Sequence, residues 1–209
     1  NTFTLDTNFN YKFSDYTYHT FGIGYSLKDY QVTNATSATS NIKSSEGESI
    51  SFNVTNDFIR NTLNSNIRPS KGNFISFANY IETPSSSANG FFKNILTAKK
   101  FYSFNDSVFS AQGKIGNILS LNDSEILSDN KFSLGGKWLR GFDNFGAGPR
   151  NSRTSYVGGN NILALKLDYS KPISLNDQNP IYFNLFNDYG TVWSNKNTVT
   201  SSDQDLRIS

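Results

Sequence analysis

The sequence predicts an all-β protein, a transmembrane antiparallel β-barrel, and three observations lead to this fold class. Apolar and polar residues alternate with a period of two in successive segments, as in strands with one apolar and one hydrated face. The connections between these segments alternate between short turns and long polar loops, as in membrane barrels. Aromatic residues form 15% of the chain and recur near predicted strand ends, where membrane barrels carry interfacial girdles.

Composition excludes several other classes of protein. No apolar run approaches the roughly 18 to 20 residues of a transmembrane helix, and the mean hydropathy is −0.49. The absence of cysteine excludes disulfide scaffolds, thiolate metal sites and cysteine nucleophiles. A net charge of +2 gives no indication of a nucleic acid as the main partner. Residues 1–209 are therefore predicted to be part of one β-barrel domain.

The first predicted strands form a hairpin. A two-residue turn at Ser14-Asp15 joins two alternating runs. The apolar positions of these runs are Phe3, Leu5, Phe9, Tyr11 and Phe13, then Phe21, Ile23, Tyr25 and Leu27.

Four further strands are predicted in the middle of the chain. The third follows Ile50, Phe52 and Val54, and the fourth follows Ile75, Phe77 and Ile81. A less regular run from Phe91 to Phe104 predicts the fifth, and alternation from Phe109 to Leu119 predicts the sixth. The stretch from Thr36 to Ser49 is interpreted as a solvated loop tip. The connection from Asp57 to Lys71 is long where the pattern of connections calls for a short turn.

The last strands show the clearest alternation. Leu163, Leu165 and Leu167 oppose Lys166 and Asp168. In the following run Ile181, Phe183 and Leu185 oppose Tyr182, Asn184, Phe186 and Asp188. A ninth strand begins at Leu206, so the chain is predicted to contain eight strands and the start of a ninth.

A soluble antiparallel sandwich or barrel would alternate in the same way, with its apolar residues buried inside. The loop lengths and the aromatic residues favour the membrane barrel. The chain lacks methionine and a leader pattern, and both of its ends continue strand patterns. We therefore expect it to be a piece of a longer protein.

The connection 121–156 carries the candidate site. It places Arg140 among five glycines within fourteen residues, which implies a specific backbone conformation. A guanidinium remains charged, so a loop that folds inward needs carboxylates to meet it. Asp168 and Asp188 are the candidates, and strand alternation places both on the polar face.

The motif Leu139-Arg140-Gly141-Phe142 resembles the signature of the sixth extracellular loop in the BamA-like superfamily of outer-membrane assembly and translocation barrels. The resemblance extends over about the last two-thirds of the chain. The other matching segments are Gly135-Gly136, Gly148-Pro149-Arg150, Gly158-Gly159-Asn160, Arg68-Pro69-Ser70-Lys71-Gly72, Phe186 to Trp193, and Leu206-Arg207-Ile208-Ser209.

The resemblance implies a role for each of these site residues. In that family the loop folds into the barrel lumen, and its arginine contacts acidic residues on the inner wall. Carried over, Arg140 would pair with Asp188 and with Asp168. Comparison with the family's sixteen strands implies that the chain covers about the sixth strand to the start of the fourteenth.

The function implied by the resemblance is assembly and insertion of outer-membrane β-barrel proteins in a Gram-negative outer membrane, without nucleotide hydrolysis. The implied partners are unfolded outer-membrane β-barrel proteins, outer-membrane lipids and accessory lipoproteins. A polypeptide secretion pore of the two-partner type or a translocation-assembly relative is the alternative within the superfamily. A passive porin is the alternative from another class.

Catalysis, metal binding and cofactors are not expected. His19 is the only histidine and lies in a strand among aromatic residues, so a structural or interface role is favoured. Asp143, Asp168 and Asp188 lack the spacing of a calcium loop. Gly22-Ile23-Gly24 lies in a strand, and Lys99-Lys100 is too short for a nucleic-acid patch.

Overall fold

The chain folds as one antiparallel sheet of nine strands, seen in a computed structural model that describes residues 2–31, 46–84, 89–123, 126–150, 156–174, 181–194 and 207–208. Each strand pairs with its neighbours in sequence, in the order β1 to β9. The strands are β1 Thr2–Ser14, β2 Thr17–Tyr30, β3 Gly47–Asn61, β4 Gly72–Glu82, β5 Phe91–Phe104, β6 Ser107–Ser120, β7 Asn161–Ser174, β8 Ile181–Trp193 and β9 Arg207–Ile208. The predicted all-β antiparallel fold, with eight strands and the start of a ninth, is confirmed.

Helix is limited to one short 3-10 turn, Ser128–Asn130, in the described residues. In the same part of the chain, no helix is long and apolar enough to span a membrane.

The sheet has two chemically different faces. The outer face carries the apolar residues of each alternating strand, such as Leu163, Leu165 and Leu167 of β7, and these side chains are exposed. The inner face carries the polar positions, including Lys166 and Asp168. Soluble monomers rarely expose an apolar surface that runs across eight strands, whereas a face in contact with lipid does.

Two predicted boundaries in the third strand need correction. β3 begins at Gly47, so residues 47–49 belong to a strand and not to the loop tip; residues 36–45 lie outside the described residues. The strand also continues to Asn61 instead of ending near Asp57, which leaves a shorter connection than predicted. Phe58 and Ile59 are adjacent apolar residues that face opposite sides, so they interrupt the alternation without interrupting the backbone pairing.

The connection between β6 and β7 folds back onto the inner face. Its described residues, 126–150, form what we call the arginine loop. Three isolated β-bridges shape it, Phe132 with Gly159, Leu134 with Ala147, and Arg150 with Tyr156. Apolar side chains of the loop and of the inner face form one buried cluster, and its members are Phe91, Ile118, Ile126, Phe132, Leu134, Leu139, Ala147, Ile162, Ala164 and Val192. The main core of the described chain therefore lies between the loop and the wall.

The outer face contains one polar row, here called the asparagine row. Asn56, Asn79, Asn94 and Asn117 lie directly opposite one another on β3 to β6. Each side-chain amide donates to the next, with N···O distances of 2.8, 2.6 and 3.1 Å. His19 Nε2 on β2 lies 2.6 Å from Asn56 Oδ1 and extends the row to a fifth strand. The sheet register thus aligns these polar groups so that they satisfy one another.

Candidate functional site: the arginine loop on the inner face

The loop presents Arg140 through a tight turn. The Gly136 N–H donates to the Phe142 carbonyl across 2.9 Å, and the Trp138 N–H donates to the Gly135 carbonyl across 3.2 Å. Gly141 has a φ of +84°, a conformation that residues with a side chain rarely adopt. The motif Leu139-Arg140-Gly141-Phe142 therefore lies at the tip of a closed turn. The glycine that follows the arginine allows the positive φ that this turn needs.

Arg140 binds Asp188 through three hydrogen bonds. Its Nε donates to Asp188 Oδ2 across 2.7 Å, and its Nη2 donates to Oδ1 of the same carboxylate. The backbone N–H of Arg140 also donates to Oδ2, at 3.0 Å. This is the parallel, bidentate pairing of guanidinium and carboxylate that gives both strength and orientation, with an added bond that holds the loop backbone itself.

The second carboxylate completes the site. Arg140 Nη1 lies 2.6 Å from Asp168 Oδ1, and the Ser110 hydroxyl donates to Asp168 Oδ2 across 3.2 Å. The guanidinium carbon lies 3.9 Å from the centre of the Phe186 ring, in a cation–π contact.

Strand register explains why one arginine reaches two carboxylates. Asp168 of β7 pairs with Phe186 of β8, and Lys166 of β7 pairs with Asp188 of β8. Asp168 and Asp188 are thus diagonal neighbours on one face, a relation that separates residues by about 7 to 8 Å. A guanidinium placed between them can contact both.

The two carboxylates differ in burial. Asp188 has no exposed surface, whereas the Asp168 side chain is 24% exposed and that of Arg140 is 30% exposed. A buried carboxylate without a partner is costly, so Asp188 depends on Arg140 more than Asp168 does. Hydrogen bonding to Asp188, followed by the contact with Asp168, raises the pKa of Arg140 against the opposing effect of burial. The guanidinium therefore stays charged at any ordinary pH.

Apolar contacts hold the loop beside the ion pair. Leu139 is completely buried in the cluster, with Trp138 and Phe142 packed against it. Gly190 of β8 gives room to Leu134, because a Cβ at Gly190 would lie 2.6 Å from Leu134 Cδ2. Gly148 and Pro149 are buried, and Gly148 lies against Val192. The loop therefore contacts the wall at its tip and again at Gly148.

The structure therefore brings together Arg140, Asp168 and Asp188, the three charged residues that the sequence indicated. Alternation did not indicate Ser110, Phe186 or the backbone N–H of Arg140 as partners. A signal existed for Phe186, a large apolar residue at a polar-face position beside Asp188. The bond from Lys166 Nζ to the Lys137 carbonyl, 2.8 Å, had no signal in the sequence because it depends on the position of the loop.

Arg140 binds both Asp168 and Asp188, and we call these three residues the latch because they join the loop to the wall. Each charged group of the latch therefore has a partner of opposite charge. No three histidine, aspartate or glutamate side chains are grouped for metal binding in the described ranges. His19 lies on the outer face, away from Asp168 and Asp188 on the inner face. The arrangement can hold the loop against the inner face.

Comparison with known proteins identifies the fold and the family. The family model described as "Omp85 superfamily domain" matches residues 1–209. A solved structure, the crystal structure of BamA from Haemophilus ducreyi lacking POTRA domains 1–3, superimposes with a TM-score of 0.78 at 18% sequence identity. The match covers 99% of this chain and 46% of that one, so this chain spans about half the length of the solved structure. No curated protein matches.

Proposed function

Because the chain belongs to the Omp85 superfamily, a family of outer-membrane assembly and secretion barrels, we propose that it is part of the barrel of an outer-membrane protein assembly factor. In this role the parent protein inserts other β-barrel proteins into the membrane. It does so without nucleotide hydrolysis and without enzymatic chemistry or a cofactor. The proposed location is the outer membrane of a Gram-negative cell.

The observation that carries this proposal is the binding of the arginine loop to the inner face. Three hydrogen bonds join Arg140 to a fully buried carboxylate, and the Leu139 side chain is buried beside them. A large loop packed across the inner wall narrows the passage through a barrel. A barrel that must control access to its interior gains from such a loop.

The proposed partners follow from the two faces of the sheet. The exposed apolar face suits contact with outer-membrane lipids. Unfolded outer-membrane β-barrel proteins are the proposed substrates, and accessory lipoproteins are proposed to assist. A polypeptide secretion pore remains the second candidate, because the same latched loop would suit a gated channel.

The test uses the full-length parent protein in liposomes. We expect it to accelerate the folding of an unfolded barrel substrate relative to empty liposomes. The Arg140→Ala variant should lose most of this acceleration, because Asp188 would be left buried without a partner. This should destabilise the bound position of the loop by about 3 kcal/mol.

Arg60→Ala is the matched control, since Arg60 lies exposed on the outer face of β3. It should behave as the unmodified protein does. Transport of an extended polypeptide without acceleration of folding would favour the secretion pore. A steady ion current with neither activity would favour a passive porin, and equal activity of Arg140→Ala and the unmodified protein would contradict the role of the latch.

A further inference from the structure

A group of lysines on the inner face takes no part in the ion pairs of Arg140 with Asp168 and Asp188. Lys99 of β5, Lys114 of β6 and Lys166 of β7 all face inward, and Lys137 of the arginine loop lies close enough to each for mutual repulsion. We call these four residues the lysine cluster. Register sets the arrangement of the three strand residues, because Lys99 and Lys166 both pair with Gln112, and Lys114 lies two residues further along the same strand.

The described residues do not neutralise the cluster. In the described part of the chain, none of the four ammonium groups lies within ion-pair distance of a carboxylate. Asp168 and Asp188, the inner-face carboxylates beside Lys166, are both engaged by Arg140. With Lys93, which also repels Lys114, five lysines and Arg140 therefore face these two carboxylates.

The contacts that the lysines do make leave their charge intact. Lys166 Nζ donates to the Lys137 carbonyl, and Lys114 Nζ lies 4.3 Å from the centre of the Trp138 ring. Lys99 Nζ lies 5.0 Å from the centre of the Phe74 ring. An ammonium has three donors, and carbonyl and ring contacts supply no countercharge. Several ammonium donors thus remain available toward the interior.

From this arrangement we propose that the lysine cluster binds acidic stretches of an extended polypeptide inside the barrel. This rests on the proposed function and specifies a class of substrate segment, one in which carboxylates recur on one side of the chain. The binding groups are Lys99, Lys114 and Lys166 on the wall and Lys137 on the loop.

The geometry favours a polypeptide over a single small anion. The backbone N–H groups of β5 to β7 are used in strand pairing, so the wall offers no backbone cradle for a phosphate. Lys99 and Lys166 are two strands apart, about 10 Å. Alternate residues of an extended chain present side chains about 7 Å apart on one side, within reach of two flexible lysines.

The experiment is photo-crosslinking with the full-length parent protein in detergent micelles. A photoreactive benzoylphenylalanine replaces Thr97, an inner-face residue that pairs with Lys114. The probes are a short peptide of alternating glutamate and serine and the same peptide with glutamine in place of glutamate. We expect the acidic peptide to crosslink and the glutamine peptide to crosslink much less.

Removal of lysine charges from the wall should reduce the difference in crosslinking between the acidic and the glutamine peptide. Lys99→Gln combined with Lys166→Gln should lower the apparent affinity for the acidic peptide by roughly threefold to tenfold, because two partly exposed ion pairs are lost. The matched control is Lys100→Gln, which neighbours Lys99 in sequence but lies exposed on the outer face, and it should leave crosslinking unchanged.

Three outcomes would overturn the proposal. These are equal crosslinking of the two peptides, full crosslinking in the double lysine variant, and selective displacement of the peptide by inorganic phosphate at constant ionic strength, which would indicate a site for a single anion. The folding assay on the same preparations separates the two hypotheses. Accelerated folding without charge-selective crosslinking would contradict only the proposed role of the lysine cluster. Charge-selective crosslinking without accelerated folding would contradict only the proposed assembly function.

Discussion

The difference in burial between Asp188 and Asp168 determines how much each contributes to the latch. Asp188 is fully buried and accepts three bonds from Arg140, whereas Asp168 is 24% exposed, meets Arg140 Nη1 and accepts from Ser110. Water can replace the partner of an exposed carboxylate but not that of a buried one. The two residues therefore look equivalent in the sequence and are not equivalent in the fold.

Neutralising each carboxylate should loosen the loop to different extents. We expect Asp188→Asn to increase hydrogen exchange of the Gly136, Trp138 and Arg140 amides by about a hundredfold, since a buried charged pair contributes about 3 kcal/mol. Asp168→Asn should increase it less than tenfold, because the pair is partly exposed. Exchange measured by mass spectrometry on peptides covering 135–142 compares the two. Equal effects would show that burial does not set their importance.

The asparagine row is the clearest feature at the scale of strands and sheet. Each asparagine lies between apolar outer-face neighbours on its own strand, as Asn94 does between Phe92 and Leu96. In hydrocarbon an amide without a partner is costly, and the row supplies partners from strand to strand. A shift of register between any two of these strands would break it, so the row favours one pairing of β3 to β6.

Replacing one asparagine within the row should lower the stability of the protein more than replacing the whole row. Asn94→Leu leaves the Asn79 amide without its acceptor and the Asn117 carbonyl without its donor, at about 1 to 3 kcal/mol each. Replacement of all four asparagines and of His19 by leucine removes these unpaired groups together. We therefore expect the single variant to unfold at a lower denaturant concentration than the complete replacement, measured with the full-length protein in vesicles.

Asn73→Leu provides the control for that comparison. Asn73 is exposed on the outer face of β4, and its backbone N–H and carbonyl both bond to the Thr62 hydroxyl. Its replacement should change the unfolding midpoint little. Single substitutions within the row whose effects add up to that of the complete replacement would show that the amides act independently.

At the scale of the whole molecule, the sheet separates an apolar outer face from a charged inner face. The chain has no cysteine, which allows single labels to report on each face. We expect a spin label at Leu165→Cys to collide with dissolved oxygen, which concentrates in lipid. A label at Gln112→Cys should collide with a water-soluble nickel complex. The measurement uses the full-length protein in liposomes with any other cysteines replaced, and a reversed pattern would contradict the assignment of the faces.

Much of the fold could be predicted because alternation is a local property. The strands around Leu163 to Tyr169 and Ile181 to Asp188 alternate cleanly, and both were predicted on the correct face. The strand boundaries at Gly47 and Asn61 were not predicted, because the strand continues into polar residues and past an apolar pair. Backbone pairing does not require an alternating pattern, so side-chain periodicity understates strand length.

By itself the sequence determined that Asp168 and Asp188 share the polar face of their strands, since this follows from a period of two. Loop lengths and aromatic residues indicated the membrane barrel as the fold class, and the glycine-rich loop indicated Arg140 as the candidate partner of the two carboxylates. Only the tertiary structure decided that Asp188 is the buried partner, that Phe186 supports the guanidinium, and that the asparagines and the inner-face lysines align across strands. The physical reason is register. Periodicity tells which way a side chain points, whereas the pairing of strands and the path of the loop decide which side chains it meets.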